Sequence, residues 1–139
     1  AFLRAAIHGP AGDIVPGEET LVRVHDGVNL LDFIDSRSPG HSVNLPQGLR
    51  AICANRPGVV VLLHRKETGA ELLATLNAEE GANARRAKWD PRLYGIGAQV
   101  LRELGVGKMR LLGSARKMPS MAGFGLEIVG YMPLEDIPA

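Results

Sequence analysis

"WDPRLYGIGAQVLRELGVGKMRLL", residues 89–112, reads as a helix with both ends marked and a strand directly after it. Asp90 is placed as an N-cap, where its carboxylate can accept from the free N–H groups of the first turn, and Pro91 suits a position whose N–H has no helical partner. Leu93, Ile96, Val100, Leu101 and Leu104 then fall on one stripe, the spacing of a helix that packs along one side. Gly105 fits a left-handed C-cap, with Val106 folding back over the last turn. "KMRLL", Lys108 to Leu112, follows as a short strand. A capped amphipathic helix that feeds a strand is a building unit of α/β domains.

The same alternation extends in both directions. "FLRAAIH" (Phe2 to His8), "TLVRVH" (Thr20 to His25), "VVVLLH" (Val59 to His64) and "LEIVGYM" (Leu126 to Met132) read as further strands. The Val59 run is apolar throughout, as expected of a strand covered on both faces, and is the candidate for the centre of the sheet. "LPQGLRAICAN" presents Leu45, Leu49, Ile52 and Cys53 on one helical face and is stopped by Pro57. "TGAELLATLNAEEG" begins with Thr68 and Glu71 at capping-box spacing, puts Leu72, Leu73 and Leu76 on one face and closes at Gly81. The expectation is one α/β domain over residues 1–139, a mixed sheet with flanking helices.

Composition narrows the function. Sixteen Lys and Arg nearly balance 15 Asp and Glu, for a formal net charge of +1. No global field draws in nucleic acid or an anionic membrane surface, so an anion site must be local. Aromatic residues are 4% of the chain, too few for a base-stacking platform. No apolar run reaches the roughly 20 residues that span a bilayer, and no signal-peptide order opens the chain. These readings place the domain in the cytoplasm, without nucleic-acid or membrane partners. Cys53 is the single cysteine, which rules out an intrachain disulfide and a multi-cysteine metal cage. It sits on the apolar face of its helix and is expected to be buried and inert. The start at Ala1 suggests a piece of something longer.

Several residues admit a functional reading beside a structural one. Asp90 is explained as a cap. Arg92, a cation in the first turn of a helix, opposes the positive end of the macrodipole; an anion at that end would account for it, and so would a side chain turned to water. "GVGK" (Gly105 to Lys108) lacks the spacing and the Ser or Thr of a phosphate loop. "GIG" at Gly95 lies inside the helix, where glycines allow close packing. "SARK" (Ser114 to Lys117) offers a hydroxyl and two cations after a strand, a cradle for phosphate or simply a solvated loop. "NARRAKWD" (Asn83 to Asp90) reads as a solvated connector. His8, His25, His41 and His64 form no short metal-ligand pair with each other or with Cys53.

"VRVH" (Val22 to His25), "GVVVLLHR" (Gly58 to Arg65), "YGIGAQVLRELGVGKMRLL" and "GFGLEIV" (Gly123 to Val129) together resemble the GTP cyclohydrolase II family, whose members open GTP at the head of riboflavin biosynthesis. The resemblance runs from about Thr20 to Pro133 and implies the family fold. It also exposes departures. The three zinc-binding cysteines of the active family, one after "VRVH" and two in a C-D-C-G motif, fall without gaps on Val28, Pro39 and His41. One imidazole cannot replace three thiolates around a catalytic zinc. The family's R-Q-E-G-R-G-I-G stretch, with arginines directed at the triphosphate, matches "HRKETGAE" (His64 to Glu71). The segment that carries its catalytic tyrosine is shorter here and holds none. Of the D-x-R motif, Asp90 and Arg92 remain as catalytic remnants, although Leu93 replaces the acid that follows. Of T-N-N-P-x-K, Lys117 is the clear retention.

The resemblance therefore implies a GTP cyclohydrolase II-like domain without its zinc, C-terminal to a 3,4-dihydroxy-2-butanone 4-phosphate synthase domain on the same chain. Its expected role is structural or regulatory: homodimer contact, support of the neighbouring domain, or sensing of GTP or phosphate. Arg92, Arg116 and Lys117 are the expected anion contacts, with magnesium accompanying GTP if it binds and no other cofactor. The alternative is an active GTP ring-opening hydrolase with a rebuilt metal site, favoured by the joint retention of Asp90 and Arg92.

Overall fold

The computed structural model describes residues 3–8, 13–28, 43–55, 57–64, 68–77, 91–113 and 121–136. Its strands are β1 (Leu3–His8), β2 (Glu19–Val28), β3 (Gly58–His64), β4 (Lys108–Leu112) and β5 (Glu127–Met132). The helices are α1 (Leu45–Ala54), α2 (Gly69–Asn77) and α3 (Pro91–Glu103). All five strands join one sheet in the order β1-β3-β2-β4-β5. Strands β2 to β5 run parallel, while β1 closes one edge antiparallel to β3. The expected α/β architecture with a mixed sheet and flanking helices is present.

The continuous apolar run of β3 has the expected cause. Val59, Val61 and Leu63 point to the face covered by α3, while Val60 and Leu62 point to the face covered by α1. The middle of the sheet, however, is held by β2, with β3 one place nearer the edge. Apolarity reports coverage of both faces, which β3 obtains from α1 and α3 without being central. β2 carries the buried polar residues Thr20, Arg23 and His25 instead. A central strand accommodates such a residue when its polar atoms find partners, as the Arg23 guanidinium does on two backbone carbonyls.

The helix ends follow their local chemistry. Asn44 caps α1, its Oδ1 accepting from the Gln47 N–H at 2.8 Å, and Leu45, Gly48, Ala51 and Ile52 form the buried stripe. Cys53 departs from expectation and is exposed: about 100° past Ile52 around the helix, it turns off the buried stripe. On α2 the capping box forms, with the Thr68 N–H and hydroxyl both donating to Glu71 Oε2, at 2.7 and 2.9 Å, and the Glu71 N–H donating to Thr68 Oγ1 at 3.3 Å. Leu73 is 59% exposed, so the expected apolar stripe of α2 is not packed there; the side chains of Leu72 and Leu76, and residue Gly81, lie outside the described residues. No described helix is long and apolar enough to cross a membrane.

The end of α3 is a Schellman motif. Gly105 adopts φ 84°, its N–H donates to Arg102 O at 2.9 Å, and the Val106 N–H donates to Leu101 O at 3.0 Å. Val106 joins Leu101 in the core, as the sequence predicts. The two helical glycines sit less tightly than expected. A methyl on Gly97 would meet Leu63 Cδ1 at 3.8 Å and Val24 Cγ1 at 4.0 Å, ordinary contact distances, beside an apolar cavity of about 20 Å³. Gly97→Ala is therefore expected to stabilise the protein by about 1 kcal/mol, because alanine loses less backbone entropy in a helix and the site has room for it. A urea titration measures it; a lower midpoint would mean that the helix needs the glycine.

Candidate functional site

Connectivity locates a crevice before any side chain is considered. After β2 the chain passes to α1 on one face of the sheet, and after β3 it passes through α2 to α3 on the other. Where the connections of two adjacent parallel strands run in opposite directions, a cleft is expected outside their carboxyl ends. Here that place lies between β2, whose connection runs to β3, and β4, whose connection runs to β5; Val28 and His64, the last residues of β2 and β3, are register partners at the same edge.

Helix α3 points its first turn at the same edge. Gly97 lies against Leu63, near the carboxyl end of β3, whereas the other end of the helix turns through Gly105 and Val106 into β4. Its N-terminus, with Arg92 as second residue and no acid in the first turn, therefore faces the carboxyl side. β4 ends there too, at Leu112 and Gly113. Of the sequence-predicted contacts, the topology brings the backbone of Arg92 to this edge; the Arg92 side chain, Asp90, Arg116 and Lys117 lie outside the described residues.

The described residue that the sequence reading missed is Arg23. It is 8% exposed, and its guanidinium donates through Nη1 to Leu112 O and through Nη2 to Val43 O, both at 3.0 Å. His25, two residues further along β2, is fully buried. The available signal was an arginine between valines in a strand whose neighbours are apolar: such a residue either faces water or has a buried task.

Residues 5–133 match the description GTP cyclohydrolase II, a span that takes in most of β1, strands β2 to β5 and the three described helices. The chain belongs to the GTP cyclohydrolase II family. It is 47% identical over 126 residues to a 3,4-dihydroxy-2-butanone 4-phosphate synthase of Neisseria meningitidis serogroup B, an alignment covering 91% of this chain and 33% of that protein. A protein of the same name from Pseudomonas aeruginosa is 37% identical, over 89% of this chain and 34% of its own length. The riboflavin biosynthesis protein RibBA of Bacillus subtilis is 37% identical, with the same shares covered. The chain spans about a third of the length of these relatives.

Of the three positions onto which the zinc-binding cysteines of the active family fall, one lies among the described residues of this GTP cyclohydrolase II fold. The first of the three cysteine positions is Val28, the end of β2, which has no donor atom. Pro39 has none either; it and His41 lie outside the described residues. The one thiol in the chain, Cys53, is at the opposite end of the sheet: it belongs to the last turn of α1, where Ile52 and Asn55 pack on Gly58, the first residue of β3. Six residues of strand, roughly 20 Å, separate that end from the crevice.

The capping box lies in a second stretch that the resemblance sets against the family site. Glu71 belongs to the stretch matching the family's phosphate-directed arginines, and its carboxyl is held below the usual carboxylate range, first by the Thr68 N–H and then by the Thr68 hydroxyl. The α2 N-terminus thus already holds a negative group of its own.

Proposed function

We propose that this domain does not open the GTP ring and serves instead as a structural or regulatory module, with the capacity to bind a nucleotide or phosphate, beside a 3,4-dihydroxy-2-butanone 4-phosphate synthase domain. The observation that carries the reading is the separation of the only thiol, Cys53, from a crevice edge where Val28 stands at a zinc-cysteine position. A hydrolytic zinc needs about three protein ligands and an open position for water. Valine and proline supply no ligand, so no hydrolytic step is derived through a metal.

Two further observations support the reading. The Glu71 carboxylate occupies the helix start that follows β3, where an incoming triphosphate would meet repulsion. Relatives that carry the synthase name align at 37–47% identity, and those named RibBA at 35–38%. Both groups are about three times as long as this chain, which accords with a synthase domain on the same polypeptide and a supporting or dimer-forming role for this one. Arg92, Arg116 and Lys117 are the proposed anion contacts.

Metal analysis joined to calorimetry tests this. The purified chain, offered GTP with magnesium and zinc, is expected to retain far less than one zinc per chain and to give no sustained heat. Near-stoichiometric zinc, with heat that scales with protein and vanishes on chelation, would establish the hydrolase and overturn the proposal.

A further inference from the structure

Arg23 shares its side of the sheet with Leu21, Val60, Leu62 and Leu112, and its stem runs beneath α1, where a methyl on Gly48 would come within 3.7 Å of Arg23 Cγ. Taking a guanidinium out of water is expensive, so a buried arginine is kept only where its donors are paired. What an apolar side chain cannot do is hold two carbonyls from separate segments. The planar fork of arginine does so in a fixed geometry, here on Leu112, the last residue of β4, and Val43, the residue before the α1 cap.

We propose that Arg23 is a positioning residue: its guanidinium fixes the carboxyl end of β4 and the entry to α1 relative to one another at the edge of the crevice. Both points are ends of connections that leave that edge. Arg116 and Lys117 follow Leu112 by four and five residues, and His41 precedes Val43 by two. The Gly113 N–H donates to Met132 O at 2.8 Å and the Gly48 N–H to Asn44 O at 2.9 Å, so each tethered end has an amide that reports its order. The consequence for phosphate binding rests on the reading proposed above; the positioning itself does not.

Arg23→Met, which keeps the volume and removes the donors, tests the assignment by amide exchange, thermal unfolding and calorimetry with inorganic pyrophosphate. The thermal midpoint is expected to fall, because two buried carbonyls lose their donor, while exchange at Gly113 and Gly48 accelerates about tenfold or more, and pyrophosphate affinity falls about tenfold. Leu104 and Val106, whose bonds lie in the last turn of α3 on the other face, serve as controls and are expected to keep their rates. Arg23→Lys, which keeps the charge but not the fork, is expected to lose the same local protection and answers the question if the methionine variant does not fold. Unchanged Gly113 and Gly48, or equal acceleration at Leu104 and Val106, would overturn the proposal. Local acceleration in a chain whose wild type takes no pyrophosphate would uphold the positioning role and remove the phosphate reading.

Discussion

Leu101→Ala is expected to cost about 4 kcal/mol, the largest loss from a single truncation proposed for this protein. Leu101 is 2% exposed and faces Val22, Val59, Val61 and Met109 across the interface of α3 with the sheet. It also lines the existing cavity of about 20 Å³. Removing three methyl or methylene groups there joins new space to old, and a helix held at its end by the Gly105 turn cannot settle into it. Since domains are stable by about 5–15 kcal/mol in total, this one change removes a large share. The check is urea unfolding of wild type and variant at equal slope; a loss below about 1 kcal/mol would refute the packing of α3 described above.

Gly58→Ala is expected to cost about 2–3 kcal/mol, for the opposite reason. The added methyl would lie 2.7 Å from Ile52 Cγ2, 3.1 Å from Ile52 O and 3.2 Å from Asn55 O. None of these can retreat easily. Ile52 is 2% exposed, Asn55 is bonded back to Ala51 O through both its backbone N–H and its Nδ2, and the strand is held by the Leu21 N–H on Pro57 O at 3.0 Å. A double-mutant cycle isolates the cause. In an Ile52→Ala background the closest clash disappears, so Gly58→Ala should be milder there by about 1 kcal/mol, the carbonyl contacts remaining. Equal losses in both backgrounds would show that the backbone carbonyls alone exclude the methyl.

Leu101 was on the stripe that the helical spacing predicts, whereas Gly58→Ala acts where local signals could not foresee it. Gly58 reads in the sequence as the residue after Pro57 and the first of a family-like stretch; its need for hydrogen in place of a side chain arises because the last turn of α1 lies over the start of β3. Gly97 was read as a close-packing residue, and tertiary geometry leaves it room. Cys53 was expected inside because its neighbours at helical spacing are apolar, but the stripe ends one residue before it.

What the sequence determined by itself was set by short-range chemistry. The Schellman turn at Gly105, the capping box of Thr68 and Glu71, the helix from Pro91 and the two-faced burial of Val59 to Leu63 each depend on residues within one turn or one strand of each other. The motif that identifies the family was equally legible. Tertiary structure alone decided that β2 holds the centre, that Val28 and His64 end side by side, that Cys53 lies at the far edge, and that Arg23 joins Leu112 to Val43 across 89 and 20 residues of chain. The physical reason is that strand order and burial depend on contacts between segments distant in the chain, while a residue's own neighbours state only its propensity and its face.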